Sequence, residues 1–206
     1  ALFASLTNVN FDVESLFEMA MELGRKNLRV MELLDEGQIE TFGKPSPTRV
    51  KEGTQAGPGI LVTGHDLVDL RDLLKQVEGT NIKVYTHGEM LPAHMYPKLR
   101  NHPNLAGNYG GAWQNQKREW AAFPGPVLAT TNCIMPPSQS YAGRLFSTRV
   151  TAAPGAGIRR ITNGDFSALI KCALECQPCE QNITGESVVG FHRTVLLDAA
   201  ETIVEA

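Results

Sequence analysis

The chain lacks several features that would settle its class quickly. No apolar run approaches the roughly 18 residues that would span a bilayer. No block of Lys or Arg stands out, and the formal net charge is −3, so there is no electrostatic footprint for nucleic acid. Neither phosphate cradle is present: no G-x-G-x-x-G follows the first apolar strand, and no G-x-x-x-x-G-K-[ST] occurs anywhere. The opening ALFASLTNVNFD has no basic region followed by an apolar stretch, so it does not read as a secretory signal. Four cysteines among 206 residues, without such a signal, read as cytosolic thiols or metal ligands rather than a disulfide framework.

What is present is a repeated β-then-α grammar. Residues 1–35 are expected to carry an entry signal and then a helix, capped by Asn10 or Asp12. Phe11, Leu16, Met19, Ala20, Leu23, Leu28, Met31 and Leu34 lie at helical spacing, Gly24 is a candidate break and Gly37 a candidate stop. Residues 36–58, rich in Gly and Pro, read as a linker. Strands are then expected at 60–63, 82–86, 126–131, 144–148 and 158–161. Helices are expected at 66–77, 95–101, 112–122, 166–176 (capped by Asp165) and 193–205, with 101–112 a loop and 188–190 a short apolar run. Alternating strands and helices predict an α/β fold: a Rossmann-like parallel sheet flanked by helices, with an N-terminal helical segment. The expected divisions are a helical segment at 1–45, an α/β domain at 46–187, and the start of a following domain at 188–206.

Three strands each deliver a metal-capable side chain just past their C-terminal ends. Gly59-Ile60-Leu61-Val62-Thr63 leads to His65, Ile82-Lys83-Val84-Tyr85-Thr86 to Glu89, and Pro126-Val127-Leu128-Ala129-Thr130-Thr131 to Cys133. In a parallel α/β sheet that edge is where ligands bind. Imidazole, carboxylate and thiolate together suit iron or another transition metal better than magnesium or calcium, and three ligands leave open positions. His87 and His94, in the same stretch as Glu89, are further candidates as ligand, outer-sphere donor or proton source, and spacing does not rank them. Tyr109, Gly110 and Gly111 could line a tight cavity or form a plain turn. Cys172, Cys176 and Cys179 spell C-x3-C-x2-C, a spacing that can hold an iron–sulfur cluster. Because the triplet falls at a helix end, partly exposed surface cysteines are the preferred reading.

The runs GPGILVTGHDLVDL, VYTHGEMLPAHMYP, LAGNYGGAWQNQ, FPGPVLATTNCIMPP and SYAGRLFST, with the opening LFASLTNVNFD, together resemble the hybrid-cluster protein family, also called prismane protein or hydroxylamine reductase. The resemblance covers most of the chain. It implies a cytoplasmic iron–sulfur oxidoreductase that reduces hydroxylamine to ammonia, with nitric oxide as another substrate. It also implies a hybrid iron–sulfur–oxygen cluster of the 4Fe-2S-2O type and a second iron–sulfur cluster in a more N-terminal region. His65, Glu89 and Cys133 match the family's ligand motifs for the hybrid cluster. The remaining ligands belong to a later domain, so this chain corresponds to a middle domain with flanking pieces. Its implied partners are the small-molecule substrate, an electron donor protein and the missing domains of the same polypeptide, with no nucleic acid and no membrane. Two other readings stand beside this one: an inactive apo Rossmann-like domain serving in binding or assembly, and a nickel site of the more distantly related carbon monoxide dehydrogenases.

Overall fold

Asp12 starts the first helix, α1 (Val13–Phe42), its carboxylate accepting from the backbone N–H of Glu14 at 3.2 Å. The structure, a computed structural model, describes residues 12–131, 134–148 and 157–205. The candidate cap Asn10 and the apolar Phe11 lie outside the described residues. α1 runs through both Gly24 and Gly37, and the stop falls at Gly43, whose φ is 90°. A helical glycine costs only about 1 kcal/mol, and both sit among good helix formers. Gly43 can take a backbone conformation that side chains resist, and Pro45 follows it. The chain divides into two units, Ala1–Gly43 and Lys44–Ala206. The candidate site belongs to the second.

The second unit is built on one eight-stranded sheet. Its strands are β1 (Thr48–Thr54), β2 (Gly59–Thr63), β3 (Lys83–His87), β4 (Leu105–Asn108), β5 (Val127–Ala129), β6 (Leu145–Ser147), β7 (Arg159–Arg160) and β8 (Asn182–Val189). The order across the sheet is β7-β6-β5-β2-β3-β4-β1-β8. Every pairing is parallel except that of β1 with β8. From β2 the chain steps outward through β3 to β4, then returns to lay β5 on the other side of β2 and continues to β6 and β7. That is the doubly wound order of Rossmann folds, and it puts a topological switch point between β2 and β5.

Burial explains which strands could be read in advance. All five residues of β2 are buried, as are β5 and β6; strands covered on both faces appear as continuous apolar runs. One face of the sheet carries a cluster of Leu61, Tyr85, Trp120, Phe123, Val127 and Tyr141. β1 and β4 fall where a linker and a loop were expected, and β8 reaches the expected short apolar run at 188–190 only with its last two residues. β1 (TRVKEGT) offers only Val50 to the core and β4 (LAGN) is short; β8 is mostly exposed. Their pairing is set by neighbouring strands rather than by their own hydrophobic pattern.

The helices of this unit are α2 (Leu67–Val77), α3 (Pro97–Arg100), α4 (Gln116–Ala122), α5 (Gln139–Ala142), α6 (Ser167–Glu175), α7 (Arg193–Asp198) and α8 (Ala200–Glu205). Short 3-10 segments cover Gly88–Met95 and Trp113–Asn115. Asp66 caps α2 by accepting from the N–H groups of Val68 and Asp69, both at 3.0 Å. Leu70, Leu73, Leu74 and Val77 of α2 are buried on one stripe. The expected single helix at 193–205 is two short helices meeting at Ala199.

A candidate metal-binding edge at the switch point

The C-terminal ends of β2, β3 and β4 border a cavity of about 350 Å³. Thr63, Gly64, His65, His87, Gly88, Glu89, Asn108, Gly110 and Gly111 contribute to its lining, with Glu52 from β1 and Trp113 and Gln116 from the α4 side. Gly64 makes the turn out of β2. Its φ is +105°, and an added Cβ would come within 2.5 Å of Thr130 Oγ1. Thr130, just past β5, locks the two strand ends together. Its N–H and its hydroxyl both donate to the Thr63 carbonyl, at 3.0 and 3.1 Å, and its hydroxyl accepts from Asp66 N–H at 3.2 Å. The Gly-His-Asp triplet therefore divides its labour: Gly64 turns, His65 is presented, and Asp66 starts α2.

His65 is held by Thr131, whose Oγ1 lies 2.7 Å from the imidazole Nδ1. Its Nε2 meets the Glu89 carboxylate. The two side chains are well exposed, 42% for His65 and 67% for Glu89. A ligating histidine is usually oriented by an outer-sphere partner at its other ring nitrogen; Thr131 stands in that position at Nδ1, and Nε2 lies beside the Glu89 carboxylate. Cys133, the third expected donor, lies outside the described residues; it follows Thr131 by two positions in the chain. Among the described residues, no group of three or more His, Cys, Asp and Glu gathers as a metal site.

His87 is the last residue of β3 and is fully buried. Its Nε2–H donates to Glu119 Oε2 at 2.9 Å, and its Nδ1 faces Thr63 Oγ1 at 3.4 Å. Glu119, 15% exposed, also accepts from Gly111 N–H at 3.0 Å. Burial pulls the His87 pKa below its ordinary value, while the hydrogen bond and charge of Glu119 oppose that pull. Gly110 makes room for the pair: a Cβ there would fall 2.6 Å from Glu119 Oε2 and 2.8 Å from His87 Cδ2.

His94 is separated from the cavity by a polar relay. Its Nε2–H donates to Thr86 Oγ1 at 3.0 Å, and the Thr86 hydroxyl donates to Asn108 Oδ1 at 2.9 Å. Asn108 Nδ2 in turn donates to Glu52 and to the Gly110 carbonyl. Burial pushes the His94 pKa down to about 4, opposed only by a backbone hydrogen bond at Gly107. Gly110 and Gly111 line the cavity, whereas Tyr109 packs on Phe123, ring centroids 5.1 Å apart.

The structure adds partners that sequence reasoning did not single out: Thr131 behind His65, Glu119 behind His87, and the Asn108–Glu52 end of the relay. Glu119 is the only acid in the expected helix 112–122, but nothing local distinguishes it from a solvent-facing carboxylate. Asn108 and Glu52 sit on β4 and β1, strands that were not foreseen.

The sequence model of the Prismane/CO dehydrogenase family matches residues 1–205. The hydroxylamine reductase of Moorella thermoacetica is 53% identical over 206 residues, covering all of this chain and 48% of its own length. That of Thermotoga petrophila is 46% identical over 206 residues, covering all of this chain and 47% of its own. That of Methanothermobacter thermautotrophicus is 43% identical over 203 residues, 98% of this chain and 47% of its own. The chain spans about half the length of these relatives.

Proposed function

The chain belongs to the Prismane/CO dehydrogenase family, and from that premise we propose that it forms part of an iron–sulfur oxidoreductase that reduces hydroxylamine to ammonia. The relatives described above carry the name hydroxylamine reductase. The observation that carries the reading is the pairing of His65 Nε2 with the Glu89 carboxylate at the cavity edge, beside the β2/β5 switch point. Donors of this chemistry fit a transition-metal centre. His65, Glu89 and Cys133 would hold one side of a hybrid iron–sulfur–oxygen cluster of the 4Fe-2S-2O type, and donors from other domains of the same polypeptide would complete it. When bound, that centre supplies the redox chemistry, fed by a second iron–sulfur cluster and an electron donor protein.

The chain's own residues contribute position and protons. Reducing hydroxylamine to ammonia and water consumes two electrons and two protons, so proton-bearing groups at the cavity matter. His87 holds a proton at Nε2 toward Glu119 and is part of the cavity wall. His94 holds one at Nε2, at the inner end of the Thr86–Asn108 relay. Thr131 holds His65 at Nδ1, which would leave Nε2 to ligate once a metal takes the place between it and Glu89. The cavity is much larger than hydroxylamine, and nitric oxide would fit the same space. In this reading residues 1–45 end a helical domain, 46–187 form the α/β domain and 188–206 begin a following one, in a cytoplasmic enzyme.

The test is iron and acid-labile sulfide analysis with electron paramagnetic resonance of the anaerobically purified full-length protein. His65→Ala and Glu89→Ala are expected to lose the hybrid-cluster signals while keeping those of the other cluster. Wild-type spectra in both variants would refute the ligand assignment.

A further inference from the structure

The three clustered cysteines do not behave as a set. Cys179 is buried, 3% exposed, and its backbone exchanges hydrogen bonds with Gly57 at 2.8 and 3.1 Å. Its sulfur occupies the space beside Gly59, 2.7 Å from where a Cβ would be. This departs from the expected exposed thiol, because Pro178 turns the chain inward after α6. Cys172 and Cys176 stay together and half-buried at the end of α6, with their sulfurs 3.9 Å apart. The spacing of four residues puts them on one helix face, and Cys176 is the residue at which the chain leaves the helix, with ψ 163°.

That separation is a thiol–thiol hydrogen-bond contact, and it is also close to the span of a metal dithiolate. Two metal–sulfur bonds of about 2.3 Å at a tetrahedral angle place the sulfurs about 3.8 Å apart. A linear two-coordinate ion would need about 4.6 Å from the same bond length, and a disulfide only about 2.05 Å. Two cations, Arg144 and Arg159, lie within electrostatic reach of the thiols. Arg144 is anchored at 2.6 Å to the Trp120 carbonyl and also to those of Ala121 and Gly125, and Arg159 lies 4.4 Å over the Phe146 ring. Neither can act as a ligand, but both offset the charge of a dithiolate.

We propose that Cys172 and Cys176 form a two-thiolate site for a soft divalent d¹⁰ cation of the zinc type, distinct from the His65–Glu89 edge. Solvent or a small exogenous ligand completes the tetrahedron, since no third His, Cys, Asp or Glu joins the pair among the described residues. Binding converts two thiols and one cation into a metal dithiolate and releases two protons. Burial and the neighbouring Cys176 hold the Cys172 thiol up at about 11 in the free protein, so proton release accompanies binding at neutral pH.

Cadmium, titrated anaerobically into the reduced 206-residue chain carrying Cys133→Ser, is the probe. One Cd²⁺ per chain is expected, with ultraviolet charge-transfer intensity for two thiolates and two protons released into a weakly buffered solution. Cys172→Ser and Cys176→Ser should each weaken binding by more than about 100-fold, beyond the usual loss from an outer-sphere partner. Cys179→Ser should leave it unchanged. A second measurement needs no variant at these positions: cadmium should protect Cys172 and Cys176, and not Cys179, from alkylation, as mapped by fragment mass spectrometry. Absence of cadmium binding, wild-type affinity in either serine variant, or protection confined to other cysteines would each overturn the site.

Discussion

His65–Glu89 and His87–Glu119 are both imidazole–carboxylate pairs, and each histidine is rooted at the C-terminal end of a parallel strand, β2 for one and β3 for the other. The first pair is open to solvent on both sides; in the second the imidazole is wholly enclosed and the carboxylate nearly so. Glu119 has a further donor in Gly111 N–H, and Gly110 is shaped around it. The contrast is one of environment: the same two groups on adjacent strands stand open to solvent in one pair and committed to buried hydrogen bonds in the other. Open donors can exchange their partner for an external ion. An enclosed pair has its hydrogen bonds committed and holds a wall in place.

Four experiments would break or sharpen that contrast. The largest effect is expected at the turn that leads into His65. Gly64→Ala puts a methyl against Thr130 at a φ of +105°, so strain and overpacking together should cost about 3 kcal/mol or more, read from urea unfolding. If stability is unchanged, the β2–β5 junction is far softer than its hydrogen bonds indicate.

His94 supplies a third case, an enclosed imidazole with no carboxylate partner among the described residues. Its pKa in the folded protein is about 4, below the ordinary 6.5. The unfolded chain therefore binds the proton first. The His94 contribution is complete above about pH 6.5, declines as pH falls toward 4, and levels off below that. About 3 kcal/mol is at stake. Urea midpoints measured across this window should show the decline, and His94→Gln should flatten it by close to one proton; an unaltered profile would mean that His94 is not held neutral.

Glu119→Ala leaves the buried His87 Nε2–H and Gly111 N–H without their acceptor, and should cost about 2 kcal/mol, with partial recovery in Glu119→Gln. Glu89→Ala is the counterpart at the open pair. It should change stability by no more than about 0.5 kcal/mol, because the side chain is mostly in water. Its expected effect is on iron content in the full-length protein. A Glu89 variant that unfolds the chain, or a Glu119 variant that does not weaken it, would erase the distinction drawn between the pairs.

Much of the fold was legible because its central strands are covered on both faces. Ile60-Leu61-Val62 and Val127-Leu128-Ala129 announce themselves as apolar runs, and the polar residues that follow them mark the C-terminal edge of the sheet. β1 and β8 were not legible, because half-exposed strands that pair with each other carry no period of their own. The placement of His65, Glu89 and His87 at one edge follows from strand ends and needs no side-chain detail. The choice between His87 and His94 does need it. Both lie in a stretch of eight residues, and only the fold shows His87 in the cavity wall and His94 behind a threonine. Glu119 was beyond reach for the same reason: it meets His87 across 32 residues of chain.

The switch point also has a consequence for when the edge can form. His65 and Glu89 are 24 positions apart, but Thr131, which fixes His65, is 66 positions away on the far side of β5. Loop closure over such spans costs entropy before any hydrogen bond repays it, and parallel pairing of distant strands is intrinsically slow. During synthesis from the N-terminus, β2, β3 and β4 can associate while β5 is still absent, leaving one flank of β2 unpaired and His65 unanchored. The last strand to reach the middle of the sheet is therefore the one that seats the histidine. Refolding followed by hydrogen exchange should find β2–β3 amides protected before those at the Thr63–Thr130 junction.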